Sequence, residues 1–256
     1  LGASFSPTVI GQYSIDIWGE ADSAGAGITS TLSNMESRNI QVTDYIYGKD
    51  LGLPTTNSWT IGGPGDQWHF TTRYEMYANE QLYGLRVYIT DESTVDAEVK
   101  AVLYEADNTS PTGLIFLAES DNYILTAQDI GTWVDIPFVD PISLTNGYAY
   151  EFGIAGFQHP TDSVVVGTSG ESLYNGEHSL FDEYGLNPND PSNAGTPTWY
   201  YLTRTPMVRM NFEPSVISSS SDIKNQSFNV FPNPTNGIVT ISVESNEKYD
   251  MIIYNT

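Results

Sequence analysis

Apolar residues return at every second position through most of this chain, and almost nowhere at the three-to-four spacing of a helix face. In WHFTTRYEMY (68–77), Trp68, Phe70, Tyr74 and Met76 fall on one side and His69, Arg73 and Glu75 on the other. LRVYI (85–89) aligns Leu85, Val87 and Ile89; AEVKAVLYE (97–105) aligns Val99, Ala101 and Leu103; WVDIPFV (133–139) aligns Val134, Ile136 and Phe138. YAYEFGIAGF (148–157) sets Tyr148, Tyr150, Phe152 and Ile154 together, and MVRMNF (207–212) sets Val208, Met210 and Phe212 together. A period of two is the mark of a half-buried strand. Between these runs lie turn-forming clusters, EADNTSPTG, DPISLTNG and GLNPNDPSNAG. The pattern predicts an all-β fold, an antiparallel β-sandwich or jelly roll.

Residues 1–65 are less regular. QYSIDIW (12–18) and NIQVTDYIYG (39–48) read as strands, and GEADSAGAGITSTLSN (19–34) and GLPTTNSWTIGGPGDQ (52–67) as long loops. Near residue 214 the texture changes: EPSVISSSSDIKNQ is Ser-rich with few large residues and reads as a linker. The expected organisation is a sandwich module over 1–213, a linker over 214–225 and a separate unit over 226–256. In the last of these, FNVFPNPTNGIVTI (228–241) shows strand alternation on either side of a turn that contains Pro232, Pro234 and Gly237.

Charge narrows the partners. The 256 residues carry 32 acidic and nine basic side chains, a net −23. A phosphate backbone demands clustered Lys and Arg, so nucleic acid is excluded as a partner. Anionic membranes are disfavoured for the same reason, and no apolar run reaches transmembrane length. The segment LGASFSPTVI has neither the basic nor the long apolar region of a signal peptide. There is no cysteine, which rules out disulfides, thiolate metal sites and a Cys nucleophile.

Candidate chemistry is sparse. His69, His159 and His178 are widely spaced, GTSGES (167–172) lacks the strand–turn–helix setting of a nucleophile elbow, and there is no H-E-x-x-H. DESTVDAE (91–98) is acidic but falls at an expected hairpin turn, where solvated carboxylates are ordinary. If a cofactor binds, loop oxygens suit calcium best. The candidates are Asp182, Glu183, Asn187, Asn189 and Asp190, with a second group at Asp107 and Asn108. Sugar contact would use aromatic platforms: Trp59, Trp199, Tyr200 and Tyr201 are candidates, whereas Trp68 and Trp133 read as core rings. Strand alternation places Trp199 and Tyr201 on one face and Tyr200 on the other.

The Ser-rich linker followed by FNVFPNPTNGIVTISV and YDMIIYN closely resembles the start of the type A C-terminal sorting domain of the Bacteroidetes type IX secretion system. The resemblance covers about residues 226–256 and rests on Phe231, Pro232, Asn233, Pro234, Asn236 and Gly237. It implies a small Ig-like β-sandwich read by the outer-membrane translocon, and a secreted protein placed on the outer cell surface. The family's later strands and its basic terminal strand are not among these residues, so a cut or partial sorting domain is expected. Residues 68–213 resemble, through LYGLRVYITDE, VKAVLYEAD, GTWVDIPFVDPISLTNGYAYEFGI and TPMVRMNF, the jelly-roll-like modules that precede such domains. The resemblance also implies O-glycosylation at Asp-Ser followed by a small or apolar residue, which Ser23 and Ser163 satisfy.

The expected function is a non-enzymatic surface module for adhesion, glycan contact or assembly with other copies of itself. The alternative is an accessory or catalytic domain of a secreted polysaccharide-degrading enzyme, which would need two opposed carboxylates in a pocket.

Overall fold

The structure, a computed structural model, describes residues 7–18, 35–52, 58–106, 113–171, 178–185, 187, 189, 192, 194–219, 229–231 and 240–242. The chain divides into two compact units, Leu1–Ile217 and Ser218–Thr256. In the first, β1 (Gly11–Ile17) and β2 (Glu36–Val42) form an antiparallel two-stranded sheet with Gly11 opposite Val42 and Ile17 opposite Glu36. There follow β3 (Ile46–Tyr47), β4 (Ser58–Gly63), β5 (Asp66–Gln67), β6 (His69–Glu75), β7 (Glu80–Ile89), β8 (Glu98–Ala106), β9 (Leu114–Glu119) and β10 (Tyr123–Ile124). The unit continues with β11 (Thr132–Leu144), β12 (Ala149–Gly156), β13 (Val164–Glu171), β14 (His178–Asp182), β15 (Thr198–Tyr201), β16 (Arg204–Pro206) and β17 (Val208–Asn211), and the short α1 (Ser215–Ser219) begins at its end. In the second unit, β18 (Asn229–Phe231) pairs antiparallel with β19 (Thr240–Ser242), Val230 opposite Ile241.

The first unit is an antiparallel β-sandwich. An eight-stranded sheet runs β3-β17-β7-β13-β4-β5, with β11 also on β7 and β16 on β13. A seven-stranded sheet runs β10-β8-β12-β6-β14-β15, with β9 also on β8. The alternating residues meet between them: Leu85, Val87 and Ile89 of β7 and Val208 and Met210 of β17 share one fully buried cluster with Val99, Ala101 and Leu103 of β8, Phe70 of β6 and Phe152 and Ile154 of β12. Each large side chain removed from water in this way contributes about 1.5–3 kcal/mol, so the inter-sheet layer dominates stability.

The structure corrects several local expectations. Residues 39–48 are not one strand. The chain breaks after Val42, where the Thr43 hydroxyl donates to the Ile46 carbonyl (2.7 Å) and accepts from its N–H (3.0 Å), a side chain closing its own turn. The expected loop over 52–67 contains β4, with Ile61 fully buried. Gly62 there serves close packing: a Cβ on it would lie 2.9 Å from the Phe157 backbone, and one on Gly156 would lie 2.5 Å from the Ile61 carbonyl. The segment 91–98 is a crossover between sheets, not a hairpin, because β7 and β8 belong to different sheets. β11 runs through Asp140–Leu144, with its register shifting between Pro137 and Ile142, and only Thr145–Gly147 turns. Tyr148, aligned with the core by its spacing, is 49% exposed just outside β12. The expected linker begins as α1, with Val216 buried.

Trp133 also departs from expectation. It is half-buried on the outer face of the eight-stranded sheet, since Val134, Ile136 and Phe138 take the inner one. The Arg209 guanidinium lies 4.0 Å over its ring and forms a forked pair with Asp50 (2.7 and 2.5 Å). Arg86, directly opposite Arg209 across the ladder, has its own fork to Asp135 (2.8 and 2.6 Å), and Asn211 donates to the same carboxylate (2.8 Å). Two like charges side by side would repel; each is neutralised by its own aspartate.

Candidate functional site

A sandwich strand normally turns its second face to water. The seven-stranded sheet instead carries a second apolar layer there. The registers build it in two rows: Phe116 of β9 lies opposite Tyr104 of β8, which lies opposite Glu151 of β12; and Ala155 of β12 lies opposite His69 of β6, then Phe181 of β14, then Trp199 of β15. Val102, Tyr104 and Ala155 are buried in this layer, and Leu114, Phe181 and Trp199 pack against them. Trp199 stacks on Phe181 (centroids 4.4 Å, 16° between planes) and meets the Tyr104 ring edge-on at 5.2 Å, while Phe116 meets Tyr104 edge-on at 5.7 Å. Such pairs favour offset and edge geometries for quadrupolar reasons. Around them Phe116, Tyr184 and Tyr201 are 51%, 50% and 62% exposed.

Polar groups are set into this aromatic layer. The Tyr104 hydroxyl is 2.6 Å from Nδ1 of His69, and Nε2 of the same ring faces the Glu183 carboxylate at 3.6 Å, a charge contact rather than a formed hydrogen bond. Burial, with the charges of Glu183, Glu151 and Glu119, pushes the Tyr104 hydroxyl far above its usual range. It therefore keeps its proton; the Glu183 carboxylate only accepts, which calls for the histidine proton on Nε2, and in that neutral ring Nδ1 accepts from the Tyr104 hydroxyl. The His69 ring N–H facing it is the main reason that the Glu183 carboxyl is held below the usual range. Glu151 is displaced the other way: burial raises it, against the hydroxyl of Thr71, which donates to it at 2.5 Å. Two carboxyls pushed apart near one tyrosine resemble an acid/base pair. Glu151, however, is 3% exposed and lies beneath the surface rather than on it.

The sequence candidates are distributed unevenly. Of the aromatic group, Trp199 and Tyr201 lie on this outer face, whereas Tyr200 packs inward, edge-on to Trp68 at 6.1 Å. Trp59 also turns inward, stacked on Phe70 at 6.2 Å. Asp182 is buried and accepts the Asn187 N–H (2.8 Å), and Asn187 accepts that of Asn189 (3.0 Å), so these residues shape their own loop. Glu183 leaves that group for His69. No cluster of three or more metal-ligating side chains occurs among the described residues. Asp107, Asn108, Asp190 and Ser23 lie outside the described residues, as do Pro232, Asn233, Pro234, Asn236 and Gly237; Phe231 ends β18. Ser163 is half-buried, its N–H donating to Thr94 (2.8 Å). His159 is exposed, and its Nδ1 accepts the Asp162 N–H at 2.9 Å. Among the described residues no helix is long and apolar enough to cross a membrane.

Sequence reasoning did not single out His69, Tyr104, Phe116, Phe181 and Glu151 as a site. One signal was present: AVLY in β8 is apolar at every position, which marks a strand covered on both faces. The convergence of six strands on that face is set by register. A scan of protein-family models finds no match to this chain, and a search of curated proteins finds none either.

Proposed function

We propose that this chain is a non-enzymatic surface module of a Bacteroidetes bacterium, exported by the type IX route and contacting polysaccharide through the outer face of its seven-stranded sheet. The observation that carries the contact is the aromatic layer outside the core, which ends in exposed Phe116, Tyr184 and Tyr201 beside half-buried Trp199. Flat rings cover the apolar faces of sugars, and Glu183 and Glu119, with side chains 41% and 47% exposed, supply acceptors at the margin. Export rests on the Pro-Asn-Pro-x-x-Gly resemblance after a Ser-rich stretch.

A second reading, a glycan hydrolase, is favoured only by the opposed displacements of Glu151 and Glu183. Affinity electrophoresis of the full chain in gels containing soluble polysaccharides tests the first. Migration should be retarded, and Trp199→Ala and Tyr201→Ala should each release it by about tenfold in affinity or more, since an aromatic anchor removed from a contact costs about 1–3 kcal/mol. Retardation that both variants retain would refute the platform. Release of reducing ends by the native chain, abolished in Glu151→Gln, would replace it with the second reading.

A further inference from the structure

This inference rests on the platform reading above. We propose that Glu183 orients the bound sugar and sets its class, a glycan without acidic groups, and that His69 and Tyr104 are the positioning pair that fixes the Glu183 carboxylate.

A buried histidine wedged between a tyrosine and a glutamate on the outside of a sheet calls for a reason. The aromatic layer needs no polar group to pack, and a buried polar ring is costly unless both nitrogens are served. Here Tyr104 serves Nδ1 at 2.6 Å, which leaves Nε2 directed at Glu183, and Phe181 closes the ring edge-on at 5.2 Å. The histidine thereby aims a fixed donor at a carboxylate that is itself on the surface. Glu183 sits just past the end of β14, next to exposed Tyr184, at the margin of the rings.

An ionised carboxylate is acceptor-only, with more acceptor sites than the His69 N–H and the Tyr184 hydroxyl together fill. Sugar hydroxyls are the donors that match it. Acidic sugars bring anions instead, and this face repels them. The groups around Glu183 are His69 of β6, Tyr104 and Lys100 of β8, and Glu119 of β9, with Glu151 of β12 nearby and Tyr184 adjacent. Lys100 pairs with Glu119 at 2.6 Å and helps to lower Glu183, but one lysine against Glu119 and Glu183 leaves this margin negative, and the whole chain is at −23.

The test is affinity electrophoresis of the full chain at pH 7 to 8 with dextran, mannan and mixed-linkage β-glucan as neutral polymers, and alginate and polygalacturonate as acidic ones, with neutral-polymer binding followed from pH 3 to 8 by tryptophan-fluorescence titration because the chain carries no net charge near pH 4.1. At least one neutral polymer should bind and the acidic ones should not. Glu183→Gln should weaken neutral binding about tenfold or more, the worth of a charge-assisted hydrogen bond, and relax the exclusion of acidic polymers. His69→Asn keeps a group opposite Tyr104 but loses the donor toward Glu183; it should raise the pH at which binding is lost. His69→Gln, which restores an amide donor near Nε2, should bring that pH back. Thermal melting checks that each variant is folded, with Tyr104→Phe used in place of any that is not; its pH midpoint should rise too. Binding of neutral polymer unaffected by Glu183→Gln, an unmoved pH midpoint in His69→Asn, or preference for acidic polymer overturns the inference while leaving the platform intact. No binding to any polymer overturns the platform itself, and this inference with it.

Discussion

Removing Arg209 alone should unfold the sandwich more readily than removing Arg209 and the Asp50 charge together. The Asp50 side chain is fully buried and that of Arg209 is 16% exposed. Besides the fork to Asp50, the guanidinium lies over Trp133, and Asp50 also accepts the Gly52 N–H at 2.8 Å. Breaking a buried pair from one side costs about 3–5 kcal/mol, mostly the stranded charge. Arg209→Met leaves Asp50 with the Gly52 N–H and also loses the Trp133 stack, worth about 1 kcal/mol. The expected loss is about 4 kcal/mol, or roughly 8–16 °C in Tm for a unit of this size. Asp50→Asn keeps the volume and loses charge-assisted bonds, about 2 kcal/mol. Asp50→Asn with Arg209→Met leaves no buried charge, and should cost about 3 kcal/mol rather than the sum of about 6. Urea unfolding of all four proteins, followed by tryptophan fluorescence and far-UV circular dichroism, measures the coupling. A double variant within about 0.5 kcal/mol of the sum would refute the reasoning, because independent sites add.

Three further outcomes are expected. Gly156→Ala should lose about 2–3 kcal/mol in urea unfolding, because its Cβ meets backbone atoms of Ile61 and Gly62 that cannot swing aside; a loss below about 0.5 kcal/mol would mean that β4 and β12 are not pressed together. Glu151 has its folded-state carboxyl raised by burial, so native protein holds that proton more tightly than unfolded chain does, and its contribution is full below the ordinary glutamate range and lost as pH rises through the folded value. Glu151→Gln, whose amide oxygen can still accept from Thr71, should therefore remove a fall in Tm that the native protein shows on going from pH 4 to 7; identical profiles would contradict the assignment. Pro232→Ala with Gly237→Val in the native host should reduce the amount of protein on the cell surface severalfold by immunoblot, and unchanged display would remove the sorting proposal.

The inner layer of the sandwich was legible because Leu85, Val87 and Ile89, or Val99, Ala101 and Leu103, need only the alternation of the strand to place them. β4 was not, because Gly62 and Gly63 look like a loop until the backbone they approach is known. The second face was half legible: Val102 and Tyr104 stand out as apolar in outward positions, but the meeting of His69 with Tyr104 and Glu183 joins residues 35 and 114 positions away from it in the chain, respectively. Trp133 illustrates a different limit. Ring size argued for the core, while its parity opposite Val134 argued against, and parity won because a one-residue slip would turn the whole of β11 inside out.

The place of β17 in the eight-stranded sheet sets an order of events for synthesis. Val208–Asn211 is the last strand of the sandwich along the chain, yet it lies inside the sheet, between β3 and β7, with Val208 and Met210 fully buried. A chain emerging from its N-terminus leaves that edge of β7 open, and the core uncapped, until more than two hundred residues have appeared. Closure is thus a late, long-range event of the slow kind typical of β topologies. A truncation before Val208 would remove a central stave of the sheet and not a peripheral one.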